Sequence, residues 1–474
     1  MAAPPINSTT PSYDESLEEK GVSAASSSEL ALRPTWYRSV FLQITIVGAG
    51  AFLSPGLWNG LSALGAGGAQ EPWLVNAANS IVFGLMVVTC LFASTIVNRI
   101  GYRWSLVLGT AGYAPYAAGL YTNKLYGTTG LILGGSVLCG LSAGLFWGVE
   151  GAIVLGYPQP EKRGRMLAYW LGWRNAGGLL AGAINLGLNA NTSTAGSVGA
   201  STYLVFIALQ AVAPFIVFFL SEPSSVIRPD GKRPQMENHQ GTVAEMREMW
   251  TIVKRKEVLF LVPISLYAQW SASYIGTFLS LYFSVRSRAL ASFLVPITSL
   301  IANFILGTYL DNTSIRKHIR CRSSYIACMT GLGGCWIWFT ILQVRYISNP
   351  PKGLDWAQGH SFSLPFAAYI IVYTFYYLLQ NELYYVISQL ARHPHELVRL
   401  SSFLRGLESA GSACAFGVSS RKTLSKLVPL SLNFALWGIS TVTAWFTVRQ
   451  LGVNIDHTFA SDESDEAKKQ VEQQ

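Results

Sequence analysis

Arg165-Met166-Leu167-Ala168-Tyr169-Trp170-Leu171-Gly172-Trp173-Arg174-Asn175-Ala176-Gly177 is matched farther along by Arg399-Leu400-Ser401-Ser402-Phe403-Leu404-Arg405-Gly406-Leu407-Glu408-Ser409-Ala410-Gly411. Gly172, Ala176 and Gly177 fall on Gly406, Ala410 and Gly411, and Arg174 falls opposite Glu408. A match at fixed register between distant segments is the signature of an internal duplication. A second pair of segments occupies the second inner loop of each half. Ser94, Asn98, Arg99, Gly101 and Arg103 in the first half correspond to Gly307 and Asp311, followed by Arg316, Lys317 and Arg320, in the second.

The duplicated unit is membranous. Half of the 474 residues are hydrophobic and 12% are Asp, Glu, Lys or Arg, where soluble domains carry roughly 25% charged residues. Mean hydropathy is +0.33. That charge cannot cover the surfaces of a soluble protein of this length, which excludes a soluble enzyme and a nucleic-acid binder. A membrane helix needs about 20 mostly apolar residues. Twelve stretches qualify, near 38–60, 74–97, 104–121, 130–156, 166–188, 201–220, 258–283, 290–310, 324–344, 366–390, 400–419 and 428–448. The expected fold is an all-α polytopic membrane protein with twelve transmembrane helices in two six-helix pseudo-repeats. Residues 36–220 form the first bundle, 221–257 a central loop and 258–449 the second bundle.

Charge orients the chain. The first 35 residues hold two basic and five acidic side chains, and 450–474 two basic and six acidic. The body between them carries +16, which the tails reduce to the net +9, and basic residues beside spans are the ordinary cause of such an excess. With the N-terminus inside, the inner loops of the first half contain Arg99, Arg103, Lys162, Arg163 and Arg165, and the outer loops only Lys124. Both termini are therefore expected in the cytosol, as acidic disordered tails. No signal peptide precedes the first span, which is expected to act as the membrane signal itself. Asn191-Thr192-Ser193 is then a glycosylation sequon on the outer side.

Twelve spans in two halves, each with a G-x-x-x-D-like inner loop, resemble the major facilitator superfamily over residues 36–449. Its first-half signature is approximately G-x-x-x-D-R-x-G-R-R. Here Ser94 and Asn98 stand for the Gly and the Asp, while Arg99, Gly101 and Arg103 remain. Gly56-Leu57-Trp58-Asn59-Gly60-Leu61, the run Gly65-Ala66-Gly67-Gly68-Ala69-Gln70, Asn76-Ala77-Ala78-Asn79, Gly112-Tyr113 and Val285-Arg286-Ser287-Arg288-Ala289-Leu290 are similar to the Unc-ninety-three-like branch, above all its fungal members. The resemblance implies alternating access between two halves and an inner-loop latch. That branch also includes membrane proteins that regulate channels or escort receptors.

Ionisable residues inside spans cost roughly 2.5–3.5 kcal/mol each at the helix centre and are functional candidates by default. Glu150 in span four and Arg174 in span five lie about 9 and 12 Å from the cytosolic end at 1.5 Å per residue. Because consecutive spans run antiparallel, the two can pair. Glu382 in span ten, with Arg405 and Glu408 in span eleven, repeats the arrangement in the second half. These five are expected to line a central cavity, binding substrate or carrying a coupling proton; a structural ion pair is the competing reading. Gln380 and Asn381 beside Glu382, and Gln269 and Trp270 in span seven, add amides and aromatics suited to a bulky organic molecule. The Gly65–Gln70 run lacks the Lys-Ser/Thr ending of a phosphate loop, so no nucleotide, cofactor or metal is expected. The function expected is secondary-active transport of a small organic molecule through the lipid bilayer. The alternative is a non-transporting partner of another membrane protein.

Overall fold

The computed structural model describes residues 35–69, 71–159, 162–234, 242–392 and 394–455. The acidic tails, at 1–34 and 456–474, and Gln70 lie outside the described residues. Among the described residues, nine helices are long and apolar enough to cross a membrane. Two further helices, Arg163–Asn189 and Pro394–Ser419, have the length. They are the spans that contain Arg174, Arg405 and Glu408, and these charges, together with Asn175, Asn185 and Asn189, lower their hydropathy. Another, Pro72–Tyr126, is 55 residues long and contains a break. Resolving it into two arms and adding the two charged helices accounts for the twelve expected segments.

The break is at Gly101, whose φ of 82° and ψ of 170° interrupt Pro72–Ala111. Such a conformation is open to glycine and strained for other residues. Packing against span four, Gly130–Gly156, shows that the chain reverses there. A Cβ at Gly140 would meet Val82 and Leu85, one at Gly144 Met86 and Thr89, and one at Gly148 Ala93; both numbers rise together, so this arm is parallel to span four. Beyond the break, Gly109 faces Phe146, Gly112 Leu138 and Gly119 Ile132; one number falls as the other rises, so that arm is antiparallel. Spans two and three thus meet through a single residue, where the sequence suggested a loop.

Helices in the second half start earlier than their apolar stretches. Span eight is Val285–Asp311, span nine Lys317–Ser348, span ten His360–Leu390 and span eleven Pro394–Ser419. Hydropathy marks the apolar core of a helix; its polar first turns lie beyond the hydrocarbon and escape that signal. Span one, Val40–Ser62, contains a π-turn at Phe52–Gly56 around Pro55. Proline supplies no N–H, so the local ladder is rearranged.

Span two packs on span eleven, and span five on span eight; these two seams join the halves. Each half has its own apolar core. Trp336, Phe278, Tyr369 and Leu404 are centres of the second, and Leu57, Tyr116 and Phe206 of the first. The outward faces are apolar as well: Phe215, Phe304 and Ile341 are exposed, the arrangement suited to lipid as solvent.

Candidate functional site

The duplicated glycines that opened the sequence reading position the site. A Cβ at Gly177 would come within 2.5 Å of the Phe52 carbonyl oxygen on span one. A Cβ at Gly411 would come within 2.0 Å of the Leu266 carbonyl oxygen on span seven. Each glycine lets its helix approach the first helix of its own half. Arg174 and Glu408 lie three residues before them, at equivalent heights in the two halves.

Both join one polar cluster at the seam. The Arg174 guanidinium lies over the Trp147 and Trp170 rings, at 5.6 and 5.7 Å from their centroids. Arg405 lies over the same Trp147 ring at 4.7 Å and over Tyr384 at 5.5 Å. Trp147 in the first half therefore holds one arginine from each half. Arg405 Nη1 is 3.1 Å from Glu408 Oε2. Gln269 Nε2 donates to that same oxygen at 3.2 Å, and Ser412 Oγ donates to Gln269 Oε1 at 3.3 Å. Gln269 and Trp270 occupy the break in span seven between Val262–Tyr267 and Ser271–Tyr282, a discontinuity of the kind that frames transporter sites. Glu150 is buried, and among the described residues both its Oε2 and Glu408 Oε1 lack a hydrogen-bond partner. Arg174 and Arg405 are close enough for their fields to act on Glu150.

Three expectations are corrected. Glu150 and Arg174 form no ion pair among the described residues, because the guanidinium is laid against two indoles. Arg405 pairs within its own helix, not with Glu382. Glu382 is turned away: its Oε1 accepts from Ser324 Oγ at 2.8 Å on span nine. Successive residues turn by about 100° on a helix, so with Tyr384 facing Arg405, Glu382 two residues earlier points to the opposite side. Gln380 sits beside Tyr376 and Asn381 is exposed, so three consecutive polar residues have three different surroundings. Trp270 packs into the second-half core. Trp147, Trp170, Tyr384 and Ser412 complete the site. The i,i+4 spacing of Trp170 and Arg174 was its one readable signal.

The inner-loop motif is rebuilt with an acid from elsewhere. Asn98 and Arg99 are exposed, Ser94 is half-buried and Asp311 is exposed; a Cβ at Gly307 would meet nothing within 4 Å. At the Gly101 break, Glu222 accepts from the backbone N–H groups of Tyr102, at 3.1 Å, and Arg103, at 2.9 Å. Arg103 Nε donates to the Leu220 carbonyl at 2.6 Å. A carboxylate on the free N–H groups of a helix start satisfies both the donors and the dipole. Glu222 thus supplies a negative charge where Asn98 has none.

At the end of the bundle away from the central loop, Arg288 is fully buried. It donates to the carbonyls of Leu64, Gly196, Gly65 and Ala69 at 2.7, 2.8, 2.9 and 3.0 Å. All four acceptors are in the first half and Arg288 is in the second, so one side chain clasps the halves. The backbone N–H groups of Val285 and Arg286 reinforce it, donating to Thr194 and Thr192 at 3.0 Å each. Asn191, the sequon residue, is exposed in the same loop.

The family model of the Major Facilitator Superfamily matches residues 39–416. The chain is 34% identical to Notoamide biosynthesis cluster protein O' of Aspergillus versicolor, over 88% of this chain and 91% of that one. It is 29% identical to UNC93-like protein 1 of Arabidopsis thaliana, over 86% and 89%, and 28% identical to an UNC93-like protein of Schizosaccharomyces pombe, over 80% and 76%. Among solved structures it is similar in fold to a peptide transporter POT in complex with sulfate, with a TM-score of 0.61 at 11% identity, covering 88% of this chain and 96% of that one. It is likewise similar to a D-xylose-proton symporter, at 0.58 and 13%, covering 88% and 99%.

Proposed function

The chain belongs to the Major Facilitator Superfamily, with UNC93-like proteins among its relatives, and from that premise we propose that it is a secondary-active transporter of a small organic molecule. One observation carries the reading: two arginines and two glutamates from both halves meet around Trp147 at the seam, with carboxylate oxygens left without partners. A structural ion pair satisfies its own atoms; an incompletely satisfied cluster between two movable bundles is built to engage something else. The halves would rock about this seam, with both termini in the cytosol. Glu150 and Glu408 are the candidates for a coupling proton. A relative named for a biosynthesis cluster agrees with a cargo that is a product of small-molecule biosynthesis.

The test is metabolite profiling of cells and medium from a deletion strain complemented with wild type or Glu408→Gln. A compound retained inside both the deletion and the variant identifies an exporter and its cargo; one retained outside identifies uptake. No redistribution in any strain would overturn transport. The accessory reading draws on exposed Asn98 at the signature's acidic position, and it expects a membrane protein to co-purify in stoichiometric amount.

A further inference from the structure

Arg174 differs from the other buried arginines. Arg288 is saturated by four carbonyls, and Arg405 is paired with Glu408. Arg174 has five N–H donors, yet among the described residues none of them donates to a protein acceptor and no ion pair holds it. It is half-buried, held only by the faces of Trp147 and Trp170. A charged residue inside a span is a functional candidate by default, and Glu150, close by, does not pair with it.

There is room beside it. Gly178 lies one turn farther along span five and is half-buried, yet a Cβ there would meet nothing within 4 Å. The same holds at Gly406, next to Arg405. The flat rings of Trp147, Trp170 and Tyr384 hold the guanidinium groups of Arg174 and Arg405.

Resting on the transporter reading, we infer that the cargo is an organic monoanion with a flat apolar body, its carboxylate taken by Arg174 and its body laid along these rings. The planar fork of arginine matches a carboxylate with two parallel hydrogen bonds. With Glu150, Glu408, Arg174 and Arg405 all ionised, the cluster is neutral. An added anion would leave a net negative charge in a low-dielectric seam, so it enters with one proton. Glu150 takes that proton at Oε2, the oxygen without a donor; the carboxylate becomes a carboxyl group and no other bond changes. The titratable groups near enough to interact electrostatically with Glu150 are Cys90 of span two, Tyr113 of span three, Arg174, Tyr384 and Arg405. Among them the arginines are fixed cations, and the carboxyl is the group placed to titrate.

The experiment is equilibrium binding of radiolabelled phenylacetate to the purified full-length protein in detergent. Competitors are unlabelled phenylacetate, the neutral phenylacetamide and the cationic phenethylamine. The expected result is saturable binding, stronger at acidic than at alkaline pH, displaced by phenylacetate and not by the amide or the amine. Arg174→Gln should weaken it by about tenfold or more, the loss of a charge-assisted pair. Arg174→Lys should bind in between, and Gly178→Leu should block binding by filling the open space. Glu150→Gln should abolish the pH dependence. All variants must unfold at the wild-type temperature; if Arg174→Gln does not, Arg174→Lys and Gly178→Leu together replace it. Absence of saturable phenylacetate binding, wild-type affinity in Arg174→Gln, or preference for the amine would overturn the anion class. An amine redistributed by living cells in a Glu408-dependent way would leave transport standing while the anion class fell.

Discussion

Replacing Arg288 by Gln is expected to free the end of the bundle that it clasps. The guanidinium donates to the carbonyls of Leu64, Gly65, Ala69 and Gly196 at 2.7–3.0 Å. At roughly 1.5–3 kcal/mol for each hydrogen bond to a charged group, the gross contribution is about 6–12 kcal/mol. Burying the cation costs several kcal/mol in return, and Gln still donates to one or two carbonyls. A net loss of about 3 kcal/mol follows, or about 10²-fold in the equilibrium between clasped and parted ends. Donor and acceptors belong to different halves, so the loss falls on the contact between bundles and leaves each bundle folded. Hydrogen exchange followed by mass spectrometry reads this directly. The N–H groups of Val285 and Arg286, bonded across the seam to Thr194 and Thr192, should exchange about 10²-fold faster. The N–H of Ser284, bonded to Leu354 within the second half at 2.9 Å, should not change. Equal exchange at Val285 and Arg286 in wild type and Arg288→Gln would refute the clasp.

Glu222→Gln should weaken the helix start after Gly101 by about 1 kcal/mol, seen as faster exchange at Tyr102 and Arg103 with the rest of span three unaffected. Gly411→Ala forces a Cβ to 2.0 Å from the Leu266 carbonyl oxygen, whereas Gly438→Ala meets nothing within 4 Å; the first should lose roughly 1–3 kcal/mol in detergent unfolding and the second almost nothing. Asp355 lies in the loop before span ten, where Arg286 Nε at 2.7 Å and Ser284 Oγ at 2.7 Å donate to it. Its pairing with Arg286, more than the Ser284 bond, holds its carboxyl down at about 2. A carboxyl depressed in the folded state contributes stability above its unfolded value of about 4 and loses it as pH falls towards 2. Asp355→Asn should therefore unfold at lower temperature at neutral pH, and its difference from wild type should vanish over that acidic window.

Much of the architecture was legible because bilayer thickness imposes about 20 apolar residues on each span. Arg174 and Glu408 could be found because charge inside such a span is rare and expensive. Their alignment across the duplication also anticipated equivalent heights. Glu382 shows the limit: it lies as deep in its span as Glu408, but side-chain direction around a helix depends on which face the neighbouring helices leave open. The Gly101 reversal escaped because hydropathy sees two apolar arms and cannot distinguish a loop from a single glycine in an unusual conformation. Glu222 escaped because its partners are backbone N–H groups about 120 residues earlier, which carry no side-chain signature.

Composition, the twelve apolar stretches and the repeated Gly172, Ala176 and Gly177 were enough to determine a duplicated membrane bundle, since solvent and helix geometry act locally along the chain. Only the tertiary structure decided that Arg174 meets Trp147 and not Glu150, that Arg405 takes Glu408, and that Arg288 closes one end. Each of these is a choice among several polar partners of similar chemistry at similar depth, and it is settled by the direction in which packed helices turn their faces.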